Sequence, residues 1–71
     1  RKGNLDQAEQ YYRRAIDVKP SDQYAQLYLG IVLQKRGKTE EALTHLRKAR
    51  DIDPMSQPGQ TAAERINQLQ P

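Results

Sequence analysis

Apolar residues return every three or four positions along most of this chain. Leu5, Ala8, Tyr12 and Ala15 form one such series, and Ala42, Leu46 and Ala49 form another. That spacing places each series on one face of an α-helix. Asn4 is positioned to cap the first helix, with Gln7 three residues on completing a capping-box pattern. Thr39 is positioned to cap the later one, and Glu40 and Glu41 suit the positive end of its dipole. Pro20 and Pro54 end these helices, because proline lacks an amide hydrogen and restrains the residue before it.

Between them runs "SDQYAQLYLGIVLQKRG", residues 21–37. Ser21 or Asp22 can cap a helix here, and Gly37 can close it in a left-handed turn. Its apolar residues make two neighbouring stripes. One is Ala25, Leu29, Val32 and Leu33; the other is Tyr24, Leu27, Tyr28 and Ile31, with Lys35 at its end. A helix apolar over so much of its girth must touch neighbours on more than one side. The tail, "MSQPGQTAAERINQLQP", predicts a further helix carrying Ile66 and Leu69. Two starts fit it: Ser56 with Pro58 just inside, or Thr61 with Glu64 as a capping box, and Gly59 favours the later one. The pattern predicts an all-α chain of four helices with short turns and no strands.

The chain also repeats itself. Gly3 and Gly37 stand 34 positions apart, and at the same offset Ala8 pairs with Ala42, Arg13 with Arg47, Ala15 with Ala49, Asp17 with Asp51 and Pro20 with Pro54. Similar residues fill in between: Asp6 with Glu40, Tyr12 with Leu46, Arg14 with Lys48, Val18 with Ile52. Gly30 sits inside the central helix, where glycine costs about 1 kcal/mol relative to alanine. Close approach of another helix is a physical reason to keep it, as it is for Ala8, Ala15, Ala42 and Ala49.

With these residues in hand, the chain resembles the tetratricopeptide repeat family, whose unit is two antiparallel helices with a 34-residue period. Leu29, Gly30, Leu33, Ala42, Leu46, Ala49 and Pro54 fit that pattern in one complete unit, residues 21–54. Ala8, Tyr12, Ala15 and Pro20 fit the second helix of an incomplete unit, residues 1–20, and residues 55–71 resemble a helix that closes such arrays. Arg1 and Lys2 match Lys35 and Arg36, so they read as the end of a helix left off, and the chain as the C-terminal end of a longer array. Two positions depart from the pattern: Gln26 stands where the family often has a large aromatic, and Glu64 stands where a repeat glycine would fall.

The resemblance implies stacked helix pairs in a right-handed superhelix, and a non-catalytic scaffold for protein partners. It implies that the first helix of the unit lines a concave groove taking a peptide or a partner's helix, with Tyr24, Leu27, Tyr28, Ile31, Gln34 and Lys35 on that side. The same residues could instead pack against a preceding helix or the tail, and both readings stay open. Some members clamp a chaperone's terminal carboxylate with Lys, Asn and Arg. The corresponding places here hold Leu27, Ile31, Tyr24, Tyr28, Pro58 and Ala62, so no such clamp is expected. The missing partner helix would leave Leu5, Ala8, Tyr12 and Ala15 as an apolar patch, through which the chain self-associates or frays.

Composition changes this picture little. At 71 residues, 35% hydrophobic and 30% charged, one thin-cored domain is the most the chain can build. With no cysteine, a disulfide framework and a thiolate metal site are excluded. No apolar run reaches membrane-spanning length and no signal peptide is visible. A soluble chain is expected; its compartment stays unassigned, with the cytoplasm favoured. The net charge of +3 is a mild excess. Arg13 and Arg14 recur as Arg47 and Lys48, with Arg50 nearby, and a basic stripe on an outer face could meet nucleic-acid phosphates. Glu9, Asp17, Glu40 and Asp51 are interspersed, which favours an ordinary solvated face with Glu9–Arg13 as a helix-surface pair. An enzyme reading has less support. His45 is the only histidine, with no orienting partner placed by any motif, and no phosphate loop or nucleophile motif is present. No cofactor or metal is expected. Catalysis could reside elsewhere in a parent chain that this segment regulates.

Overall fold

The computed structural model describes residues 2–70. Four helices follow one another: α1 Lys2–Val18, α2 Gln23–Lys35, α3 Thr39–Ile52 and α4 Gln57–Leu69. No strand occurs among the described residues. The helices α1 and α3 end just before Pro20 and Pro54, as the sequence predicts.

The turns show which local signals prevailed. Asp22 caps α2, its carboxylate accepting from the Ala25 amide at 3.2 Å. Gly37 adopts φ +80°, so the amide of Lys38 reaches the Leu33 carbonyl at 2.9 Å and that of Gly37 reaches Gln34 at 3.1 Å. Those two bonds satisfy carbonyls that the end of α2 would otherwise leave open. Other caps differ from expectation. Asn4 lies inside α1, which runs back through Gly3 to Lys2, so Gly3 does not repeat the turn of Gly37 and Lys2 does not end a separate helix. Arg1 lies outside the described residues. Thr39 is the first residue of α3, and Lys38 holds the cap position without a side-chain bond.

The tail helix takes the earlier start. Ser56 is its cap, accepting from the Gly59 amide at 3.1 Å, with Pro58 in the first turn. Thr61 and Glu64 therefore sit mid-helix. Gly59 has a tertiary reason: a Cβ there would collide with the Asp53 carbonyl oxygen and lie 3.0 Å from the Pro54 Cα. Gln23 fastens the same corner, its amide donating to the carbonyls of Ala49 (2.7 Å) and Asp53 (3.0 Å).

The core consists of two apolar clusters on either side of α2, with Leu69 packed against both. Leu29, Leu33 and Ala42 are fully buried, with Tyr12 and Ile16 of α1 packed on them. On the other side Leu27, Leu43, Leu46, Ala49, Ala62 and Ile66 join α2, α3 and α4. Gly30 is buried at the α2–α3 crossing, where a Cβ would stand 2.7 Å from the Leu46 side chain. Among the described residues α2 packs on all three other helices and α3 packs on α4, whereas the α1 backbone packs only on α2. The repeat-related alanines differ accordingly. Ala42 and Ala49 are fully buried, while Leu5, Ala8, Tyr12 and Ala15 are half-buried. The openly exposed apolar side chains of α1 are instead Tyr11 and Val18.

Two outcomes follow from this packing. Gly59→Ala should lower stability by about 1–3 kcal/mol through overpacking, although helix propensity alone would raise it; thermal unfolding reads the sign. Amide exchange should be faster along residues 4–18 than along α3, because α1 has a single backbone neighbour.

Candidate partner-binding face

All four tyrosines of the chain meet on one side of α1 and α2. Tyr11 meets Tyr12 edge-on at 5.2 Å between ring centroids, Tyr12 leans on Tyr28 at 5.7 Å, and Tyr28 stacks with Tyr24 at 6.2 Å. The order in space comes from helical spacing: Tyr24 and Tyr28 are one turn apart on α2, and Tyr12 reaches across from α1. They line a cleft of about 250 Å³ with Ala15, Asp22 and Ala25. Tyr11, Ala15 and Asp22 also line a larger hollow with Arg14, Val18 and Lys19. Exposure is high where it matters for contact: Tyr11 68%, Tyr24 56%, Tyr28 41% and Val18 87%.

The residues assigned to a groove from sequence separate into two groups. Tyr24, Tyr28 and Lys35 are exposed, and Ile31 and Gln34 are half-buried. Leu27 is not available: it is buried against α4, which covers that flank of α2. Ile31 packs against the same cluster, and Gln34 accepts a hydrogen bond from Arg65 of α4 at 3.3 Å. Half of the second stripe is thus helix packing and half is surface. Tyr11 escaped the sequence reading because it lies beside, not within, the apolar series of α1.

The cations of the supposed outer stripe are divided. Arg13 is paired with Glu9 at 2.9 Å and Glu41 at 3.1 Å, and Arg50 with Asp51 at 3.0 Å. Arg14 turns to the tyrosine side, while Lys48 lines a separate hollow with Pro20, Ser21 and Ile52.

Glu9 is more than a surface partner of Arg13. Only 8% exposed, it also meets Arg36 at 3.0 Å and Lys38 at 3.7 Å, and Arg36 pairs with Asp6. Burial pushes the Glu9 carboxyl up, but the Arg13 hydrogen bond and the charges of Lys38, Arg13 and Arg36 outweigh it, so its pKa falls below the usual 4.5. This network ties α1 to the α2–α3 turn.

Gln26, at the position where the family often has a large aromatic, is buried and bonded through both its nitrogen and its oxygen. Its amide donates to the Pro20 carbonyl at 3.0 Å, so its oxygen faces His45 Nδ1 at 2.7 Å. His45 must therefore donate from Nδ1, leaving Nε2 as its titrating nitrogen. Burial, with Lys48 and Arg13 adding to it and Glu41 opposing, holds the His45 pKa below 6.5. His45 is half-buried, and its bond to Gln26 joins α3 to α2.

A family model described as Tetratricopeptide repeat matches residues 1–56. The chain belongs to the tetratricopeptide repeat family. Repeats of this kind generally mediate protein–protein interaction. No match was found among curated proteins or among solved structures. Among the described residues, no helix is long and apolar enough to cross a membrane and no cluster suited to a metal ion occurs.

The two titrating groups give separable pH dependences. Glu9 has a lowered folded pKa, so its contribution is present above about pH 4.5 and is lost as pH falls through the folded value. Glu9→Gln should cost about 1–2 kcal/mol near neutrality and flatten stability loss below pH 4.5. Neutral His45 is the form the fold prefers. Its contribution is therefore present above pH 6.5 and is lost as pH falls below that value through the lowered folded pKa. His45→Gln should remove this slope alone, as read by denaturant unfolding at stepped pH.

Proposed function

We propose that this tetratricopeptide segment is a non-catalytic scaffold that holds a protein partner on the tyrosine face, along the exposed side of α2. Its contact residues are Tyr24, Tyr28 and Lys35, with Ile31 and Gln34 at the α4 margin and Tyr11 and Tyr12 from α1. The observation that carries the reading is the joined exposure of Tyr11, Tyr24, Tyr28 and Val18 on one surface of a chain whose other large apolar side chains are mostly packed. Tyrosine suits such a role, since it offers a rigid apolar ring and a polar tip at small entropic cost. Contiguous apolar surface of this kind marks contact sites on soluble domains.

The same reading takes residues 1–20 as the second helix of an incomplete repeat, 21–54 as one complete unit and 55–71 as a closing helix. It draws support from the unequal burial of Ala8 and Ala15 against Ala42 and Ala49, and from the exposure of Glu64 on α4. The non-catalytic part rests on His45, whose Nδ1 is committed to Gln26 and which has no orienting carboxylate bonded to it. A nucleic-acid role for the outer cations is disfavoured by the pairing of Arg13 and Arg50.

Peptides selected from a displayed library against the full chain test the face. Binding should fall by about tenfold or more with Tyr24→Ala combined with Tyr28→Ala, with circular dichroism unchanged. Selected peptides that bind the double variant equally well overturn the assignment. Single-stranded oligonucleotides should show no binding at about 150 mM salt, and tight binding lost with Arg47→Ala and Lys48→Ala reverses the ranking of partners.

A further inference from the structure

The tyrosine face carries charge of essentially one sign. Arg14 and Lys19 line its hollow beside Tyr11 and Val18. Lys35 lies two turns beyond Tyr28 on α2, about 10 Å along the axis, and the Arg65 guanidinium is bonded to Gln34 next to it. Arg14, Lys19 and Lys35 are exposed and enter no ion pair among the described residues. Asp22 is the one carboxylate lining the two hollows, and it is committed to the Ala25 amide. The acids of α1 are used elsewhere: Asp6 and Glu9 turn to Arg36, and Asp17 lines the opposite cleft with Arg13 and His45. Glu64 is exposed, and helical spacing puts it nearly opposite the buried Ala62 and Ile66 stripe of α4.

We propose that the occupant of this face is an acidic segment of another protein. Its apolar side chains seat on Tyr11, Tyr24 and Tyr28, and its carboxylates reach Arg14 and Lys19 at one end and Lys35 at the other. This rests on the protein-binding reading above and adds the partner's charge. Electrostatic complementarity both steers encounter and suppresses wrong partners. A second copy of the chain is such a wrong partner: a two-fold contact sets the same patch against itself, so unpaired cations face unpaired cations. Nucleic acid fits less well, because bases need open ring faces to stack on. Here Tyr24 and Tyr28 stack on each other, and Tyr12 leans on Tyr28.

Nuclear magnetic resonance titration of the full chain tests this with three matched synthetic peptides. The first carries two leucines one helical turn apart with glutamates at both ends; the second replaces glutamate by glutamine and the third by lysine. The glutamate probe should shift resonances of Tyr11, Tyr24 and Tyr28 and bind roughly tenfold tighter than the glutamine probe, with the lysine probe weakest. Raising salt from about 50 to about 500 mM should weaken it several-fold. The triple change Arg14→Gln, Lys19→Gln and Lys35→Gln should erase the preference for glutamate while leaving the fold intact. Equal binding of glutamate and glutamine probes overturns the acidic assignment and leaves the protein-binding face standing. No shift at the tyrosines with any peptide overturns both. Tyrosine shifts that grow with protein concentration alone identify a second copy as the occupant, and tighter binding of a polythymidine strand identifies nucleic acid; either result overturns the proposal.

Discussion

The crossing of α2 and α3 at Gly30 governs the rest of the molecule. Without a side chain at Gly30, Leu46 can settle on the α2 backbone, and Ala42 and Ala49 bring the two helices together above and below it. Once that pair is closed, Leu27, Leu43 and Leu46 present a shared apolar surface on which Ala62 and Ile66 of α4 can pack. The opposite flank of α2 offers Leu29 and Leu33 to Tyr12 and Ile16. A chain so poor in hydrophobic residues has few alternatives, because each buried leucine must serve two neighbours at once.

Much of this was legible in the sequence, and the misreadings share a physical cause. Periodicity found the four helices because amphipathic spacing is a local property. The internal glycine of α2 was informative because glycine is costly in a helix unless backbones approach. Gly59 carried the same message, yet local propensity read it as a loop signal; its reason is the Asp53 carbonyl, a contact visible only after α3 and α4 meet. Leu27 looked like a groove residue because a stripe on a helix does not say which neighbour will cover it. The Glu9 network shows the reverse case. Sequence spacing revealed Arg13, one turn along, whereas Arg36 and Lys38 arrive through the turn that Gly37 makes.

Gln26 illustrates how a departure from a family pattern can be absorbed. A buried glutamine must satisfy an amide donor and a carbonyl acceptor, and here the Pro20 carbonyl and the His45 ring supply both partners. What an aromatic would do by area, this pair does by direction, joining the α1–α2 turn to the middle of α3. The arrangement also engages the only histidine of the chain through its Nδ1.

The attachment of α1 differs in kind from that of the other helices. Among the described residues its backbone touches only α2; Tyr12 and Ile16 add apolar packing on the Leu29, Leu33 and Ala42 cluster, and the side chains of Glu9, Arg13 and Arg36 tie it to the α2–α3 turn and to α3. Charged contacts weaken with small changes in separation much more gradually than a close-packed seam does. Helix α1 thus has one backbone neighbour where α2 has three, and part of its attachment is ionic. A load applied along the tyrosines would cross the Tyr12–Tyr28 contact, and the helix with the fewest backbone neighbours, α1, is the one whose angle it would change at least cost.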